Sequence, residues 1–256
     1  MESTGGFAAG TLVHTGKGLV PIEQIKVGDM VLSKTEGGKG DLVYQSVTET
    51  FVSEDKEIWA LFHQDTACSE DWQKDLKVVF VTGGHPIWVQ EYEWSGTIDP
   101  VVKVNNWLRP DELFEKSAIA VAKVPADGKF VKMYAQPILT TSYPNIGYMV
   151  SSWDYDPEFV VEFNDNKAQA YDISYIFDGM GIEPDVDVSD SLNKILLGLE
   201  ELDVVQKFMT CFNQKTLGGF YDRYKARVYN LIIADCHTYF VEERGIWVHN
   251  TCNINK

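Results

Sequence analysis

A chain of 256 residues with 45% apolar and 12% aromatic residues can form one large domain, or a compact domain carrying a sizeable insertion, and lacks the polar bias of a disordered chain. Twenty-two basic residues against 38 acidic ones leave a net charge of −16, which argues against a surface that tracks nucleic-acid phosphates with clustered Lys and Arg. No run of 18 apolar residues predicts a membrane span, and residues 1–10 carry neither the basic leader nor the apolar stretch of a secretory signal.

In chain order, residues 11–130 read as short strands broken by glycine-rich turns. Strands are predicted at Leu12–His14, Met30–Leu32, Gln45–Val52, Glu57–Phe62 and Lys77–Thr82, with turns at Gly16-Lys17-Gly18, Glu36-Gly37-Gly38-Lys39-Gly40 and Thr82-Gly83-Gly84. Two short helical stretches interrupt them, Pro21–Ile25 and Arg109–Lys116, the second with Pro110 at its start and Asp111-Glu112 in its first turn, where the helix dipole favours acids. Such a pattern predicts a mainly β domain.

The texture changes over residues 131–224. Residues 151–205 hold 14 acids against Lys167 and Lys194, a net of −12, and this stretch reads as a separate α/β insertion. Within it, Leu192, Ile195, Leu196, Leu199, Leu202, Val205, Phe208 and Met209 follow helical spacing, so a helix is expected over 190–211 with Ser189 or Asp190 as its cap. The acids read as a solvated face, with a cation site or a basic protein partner as the functional alternatives; the ligand order of a calcium loop is missing. Strands return at Val228–Ile233, Thr238–Val241 and Ile246–Val248, and residues 251–256 read as a tail. Cys68, Cys211, Cys236 and Cys252 form no C-x-x-C pair and are expected to be reduced structural thiols.

The sharpest chemical feature is His249-Asn250-Thr251, immediately after the last predicted strand. An Asn amide can attack its own backbone carbonyl, close a five-membered succinimide and expel the next residue's amine, provided the carbonyl is polarised and the leaving nitrogen protonated. Imidazole exchanges protons near neutral pH, and a second one, His237, lies on the neighbouring strand segment in Asp235-Cys236-His237-Thr238. The dipeptide alone is weak, and its bland reading is a histidine and a capping Asn at a strand end.

The dipeptide stands at the end of the last of four motifs in fixed order. They are Gly6 to Val13 (Gly6-Phe7-Ala8-Ala9-Gly10-Thr11-Leu12-Val13), Gly18 to Ser33 with Pro21-Ile22-Glu23-Gln24-Ile25 and Gly28-Asp29, Thr82 to Val89 with Thr82-Gly83-Gly84-His85-Pro86, and Val228 to Asn250 with His237, His249 and Asn250. Together they resemble the Hint family of inteins, bacterial intein-like domains and the pretoxin Hint domains of polymorphic toxins. The resemblance covers about residues 6–130 and 225–250 and leaves 131–224 as an insertion.

The resemblance implies a horseshoe-shaped β fold that brings both ends of the domain together and cleaves its own flanking peptide bonds, with no cofactor and no metal. The family's first residue is a nucleophile, usually Cys, at the position of Gly6. Glycine cannot begin an acyl shift, so the N-terminal step is expected to be dead, and Gly6 reads as a Cys replacement that traps a precursor behind a vector-like Met1-Glu2-Ser3-Thr4 leader. Thr82 and His85 match the pair that polarises the N-terminal scissile bond. Asn250 matches the cyclising residue, His249 its penultimate assistant and His237 the second imidazole. Asn230 stands where many inteins carry an Asp that couples the two steps. Thr251 is a hydroxyl nucleophile after the scissile bond, slower than a thiol, so cleavage is expected over ligation.

The function expected is therefore single-turnover autoproteolysis at Asn250–Thr251, acting on the chain's own flanking polypeptide to release a downstream toxin segment from a bacterial protein that is cytoplasmic before export. The competing expectation is a degenerate Hint module that serves as a spacer or binds partners through its acidic insertion. A hedgehog-type transferase needs the missing Cys, and an inserted endonuclease is opposed by the −12 charge of the insertion.

Overall fold

The computed structural model describes residues 5–67, 75–94, 101–123, 128–150, 157–165, 167–173, 203–213 and 222–250. It is mostly β. In chain order the strands are β1 (Leu12–Thr15), β2 (Gly18–Pro21), β3 (Met30–Ser33), β4 (Val43–Asp65), β5 (Lys77–Thr82), β6 (Ile87–Trp94) and β7 (Val102–Leu108), followed after helix α1 (Pro110–Glu115) by β8 (Ala118–Lys123) and β9 (Phe130–Pro137). Then come β10 (Leu139–Thr140), β11 (Ile146–Val150), β12 (Pro157–Asn164), β13 (Lys167–Asp172), helix α2 (Asp203–Asn213), β14 (Lys225–Ile233), β15 (Thr238–Val241) and β16 (Ile246–His249). The chain divides into two compact units, one of residues 1–137, 165–167 and 225–256, the other of residues 138–164 and 168–224.

In the first unit the pairing runs β4–β3–β1–β15–β16–β6–β8–β9 and returns to β4, so the sheet closes on itself. The two strands expected at Gln45–Val52 and Glu57–Phe62 are one strand. β4 is long enough to pair with β3 through Val43–Ser46 and with β5 and β9 through its Ile58–Asp65 half. Between the halves Asp55 takes a φ of 54°, and the register with β14 slips between Ala226 and Val228, the signature of a bulge that bends a strand. The helical expectation at Pro21–Ile25 is met by a single 3-10 turn, Ile22–Gln24. α1 begins as read, with Pro110 in its first turn and Glu112 Oε2 accepting the Arg109 N–H at 2.9 Å.

The insertion boundary expected at 131 is corrected to 138. Val131, Met133 and Ala135 of β9 alternate into the core of the first unit, and the strand pairs along its length with β4 and β8, so it cannot leave that sheet without exposing them.

The second unit is built by itself from β10, β11, β12 and β13 in one antiparallel sheet, with α2. Val204, Val205, Phe208 and Met209 of the helix share a core with Leu139, Ile146, Tyr148 and Val160, and Tyr148 and Phe208 meet at 5.5 Å between ring centroids. This is the end of the helix expected over 190–211; its expected cap at Ser189 or Asp190 and most of the acidic run lie outside the described residues, as do Cys68 and Cys252. Among the described residues no helix is long and apolar enough to cross a membrane.

Candidate functional site

At the N-terminal side, Gly6 and Phe7 lie between β14 and β5. Phe7 pairs with Tyr229 on one side and Val81 on the other, with Phe7 N–H to Tyr229 O at 2.9 Å and Tyr229 N–H to Phe7 O at 2.8 Å. Thr82 takes Gly6 at both ends: its hydroxyl accepts the Gly6 N–H at 3.0 Å and its own N–H donates to the Gly6 carbonyl at 2.9 Å. The backbone approach is so close that a Cβ on Gly6 would stand 2.7 Å from the Tyr229 carbonyl oxygen and 3.1 Å from Val228. The expectation that Gly6 merely replaces a cysteine meets a seat with no room for one unless β14 moves. Glycine here is fixed by proximity and not by a left-handed φ.

The Thr82-Gly83-Gly84-His85 turn closes on a His85 N–H to Thr82 O bond of 3.1 Å. Gly83 presses against Trp59, where a Cβ would meet Nε1 at 2.5 Å. This turn carries His85 into the core, wholly buried, with Phe7 edge-on at 4.5 Å. Neither ring nitrogen has a partner among the described residues, and burial first, then the charge of His249, pushes its pKa down to about 3. His85 is therefore a neutral imidazole, and an unpaired one is costly enough to call for a functional reason.

At the C-terminal side, β15 and β16 form a hairpin in which Thr238 faces His249. The turn entering it is strained: Asp235 and His237 both take left-handed φ values, 57° and 53°, and the Cys236 N–H donates to Ala234 O at 2.5 Å, a γ-turn around Asp235. This turn grips Asn250. The Asn250 N–H donates to the His237 carbonyl at 2.9 Å; with the side-chain amide oriented so that each end meets a complementary group, its nitrogen donates to the same carbonyl and its Oδ1 accepts the Ile233 N–H at 3.1 Å. Asn250 is 2% exposed, so both ends of its amide are spoken for away from solvent. An N–H held on Oδ1 draws density from the amide and favours loss of a proton from its nitrogen, the change that a nucleophilic amide requires.

The two sides adjoin. The His249 N–H donates to Pro86 O at 3.1 Å and Val248 pairs with Ile87, which sets the His85 turn beside β16. His249 is half-buried against Trp107, 5.3 Å between ring centroids, and its Nε2 lies 3.1 Å from Glu36 Oε1. Asn230 is buried on β14, its Oδ1 accepting from the Tyr239 hydroxyl at 3.0 Å and from the Leu231 N–H at 2.8 Å. Gly6, Thr82, His85, His237, His249 and Asn250 thus share one unit, while Thr251 lies outside the described residues. Glu36 and the Ile233 N–H carry no sequence motif: one is a loop acid and the other a backbone group, and only the fold brings them to the site.

No protein-family model matches the chain, and no curated protein does. Among solved structures it is similar to a bacterial intein-like domain from Clostridium thermocellum, at 17% identity and a TM-score of 0.42, over 96% of this chain and 98% of that one. It is similar also to a DnaB intein from Synechocystis sp. PCC 6803, at 9% identity, TM-score 0.44, over 97% and 99% of the two chains, and to the gp41-1 intein, at 13% identity, TM-score 0.39, over 97% and 100%.

Proposed function

We propose that this chain is a self-cleaving, intein-like domain whose working reaction is cyclisation of Asn250. The grip on Asn250 carries the reading: a buried side-chain amide, held by the Ile233 N–H and the His237 carbonyl, on the residue that follows His249. Asn250 Nδ2 loses a proton and attacks its own carbonyl carbon. The bond to the Thr251 nitrogen breaks, that nitrogen leaves with a proton, and the products are a C-terminal succinimide and a free Thr251 amine. His249, next to the scissile bond, serves as the acid for the leaving nitrogen, and His237 as the base.

The N-terminal step is closed in this reading, because Gly6 has no nucleophile and no space for one. Thr82 then holds the N-terminal segment through Gly6, and His85 packs against Phe7 with its nitrogens kept for a step that Gly6 cannot start. The substrate is the chain's own flanking polypeptide. By its ordered motifs, the natural role is release of a downstream toxin segment from a bacterial protein, cytoplasmic before export, with the acidic residues 151–205 left for a protein partner.

The test is intact mass over time at neutral pH. The expected result is loss of the residues after Asn250 from the unmodified chain and none from Asn250→Ala. An unmodified chain that stays whole while folded would leave the non-enzymatic module as the better reading.

A further inference from the structure

The loop between β3 and β4 is pinned at its base to the hairpin that ends in Asn250. Ser33 Oγ donates to the Thr238 carbonyl at 2.6 Å, the Lys34 N–H donates to Thr238 Oγ1 at 3.3 Å, and Thr238 is the residue that faces His249 across β15 and β16. Its tip is folded back by a Gly38 N–H to Thr35 O bond of 2.9 Å, with Gly38 at a left-handed φ of 72°. Gly38 rests on two tryptophans, its Cβ position 3.6 Å from Trp88 and 3.8 Å from Trp247, and Trp88, Trp107 and Trp247 pack on one another at 4.8 to 5.2 Å. The loop is thereby laid over the aromatic cluster that also packs against His249, and Glu36 is delivered to His249 Nε2.

From this placement we infer that Glu36 is a positioning residue for the proposed cleavage, fixing which nitrogen of His249 acts on the Asn250–Thr251 bond. The inference rests on the reading of Asn250 given above. A carboxylate only accepts, so at 3.1 Å it takes the Nε2–H of the ring and leaves Nδ1 as the nitrogen that can pick up a proton and pass it to the leaving nitrogen. Trp107 packs edge-on against the ring, and the backbone bond of His249 to Pro86 fixes the point from which the imidazole extends. Glu36 is itself 46% exposed, and an exposed pair adds little to stability, so its effect is expected in the reaction and not in the fold.

The test uses the full chain with its native residues after Asn250. Glu36→Ala is expected to slow release of those residues roughly tenfold, part of the about 10²–10⁴ that a positioned acid or base contributes, with thermal stability unchanged. Asp41→Ala, an equal loss of charge in the same connection away from His249, keeps the original rate. In the uncleavable Asn250→Ala chain, nitrogen-detected NMR is expected to show a His249 Nε2–H proton protected from exchange, and Glu36→Ala in that background to lose it. A chain that cleaves as fast without Glu36, or an Nε2–H unaffected by its removal, overturns the inference and leaves Asn250 cyclisation standing. An unmodified chain that does not cleave fails the Asn250 reading itself and takes the role of Glu36 with it.

Discussion

The two ends of the domain are held in opposite ways. Around Gly6 the backbone is saturated: its N–H and carbonyl and those of Phe7 all end on Thr82 or Tyr229, and the space a side chain would need is filled by the Tyr229 carbonyl. Around Asn250 the backbone is strained, with a γ-turn and two left-handed residues before the hairpin, and the groups it presents are spent on a side-chain amide. A ladder fixes a segment in its most stable pairing. A strained turn is retained where it positions something, and here it positions Asn250, the side chain proposed to cyclise.

The strongest way to break this contrast is at Asn250. Asn250→Ala is expected to stop release entirely and, by leaving the buried Ile233 N–H without an acceptor, to cost about 1–3 kcal/mol of stability; a release rate that survives in the mass spectrum would show that the gripped amide does no chemistry. Next come the imidazoles. His249→Ala and His237→Ala should each slow release by about 10²–10⁴, the usual share of a positioned acid or base, with stability little changed. Equal rates in the two variants and the unmodified chain would reduce both histidines to packing.

A smaller effect tests the hairpin from its other end. Glu242, at a φ of 60°, gives its carboxylate to the Leu12 N–H at 3.2 Å. Burial pushes its pKa up to about 7 against that bond, and Glu243 adds to the rise. The folded state then binds a proton that the unfolded chain releases near 4.5, so the stabilising contribution is full below about 4.5 and is lost as pH rises through 7. Glu242→Gln should gain up to about 3 kcal/mol at pH 8 and almost nothing at pH 4, read by denaturant melts. A wild-type curve as flat between those pH values as the variant's would contradict it.

The smallest effect belongs to the N-terminal side. Gly6→Cys is expected to lose about 1–3 kcal/mol through overpacking on β14. Added thiol should give no break between Gly5 and residue 6. Thiol-induced cleavage there would erase the contrast, since it would mean that the N-terminal side lacks only its nucleophile.

Much of this was legible in the chain. Alternation and glycine turns marked β1, β3, β5, β14, β15 and β16, and Pro110 with Asp111-Glu112 marked α1, because these signals are local and the structure obeys them locally. Strands β6 to β9 were not read, and the break seen at Ser53–Lys56 turned out to be a bend inside β4, since pairing to β14 carries the strand across it. The histidines and Asn250 were legible because their chemistry is written in residue type and order.

What the sequence by itself determined is the inventory: a mainly β chain, an Asn flanked by imidazoles at its last strand, and no nucleophile at residue 6. Only the tertiary structure decided what each member touches. The closeness of Tyr229 to Gly6, the Ile233 N–H on Asn250 and Glu36 on His249 join residues between 17 and 223 positions apart. No local signal encodes such contacts, because they arise from closing one sheet on itself and appear in the sequence only as an ordinary glycine, isoleucine or loop acid.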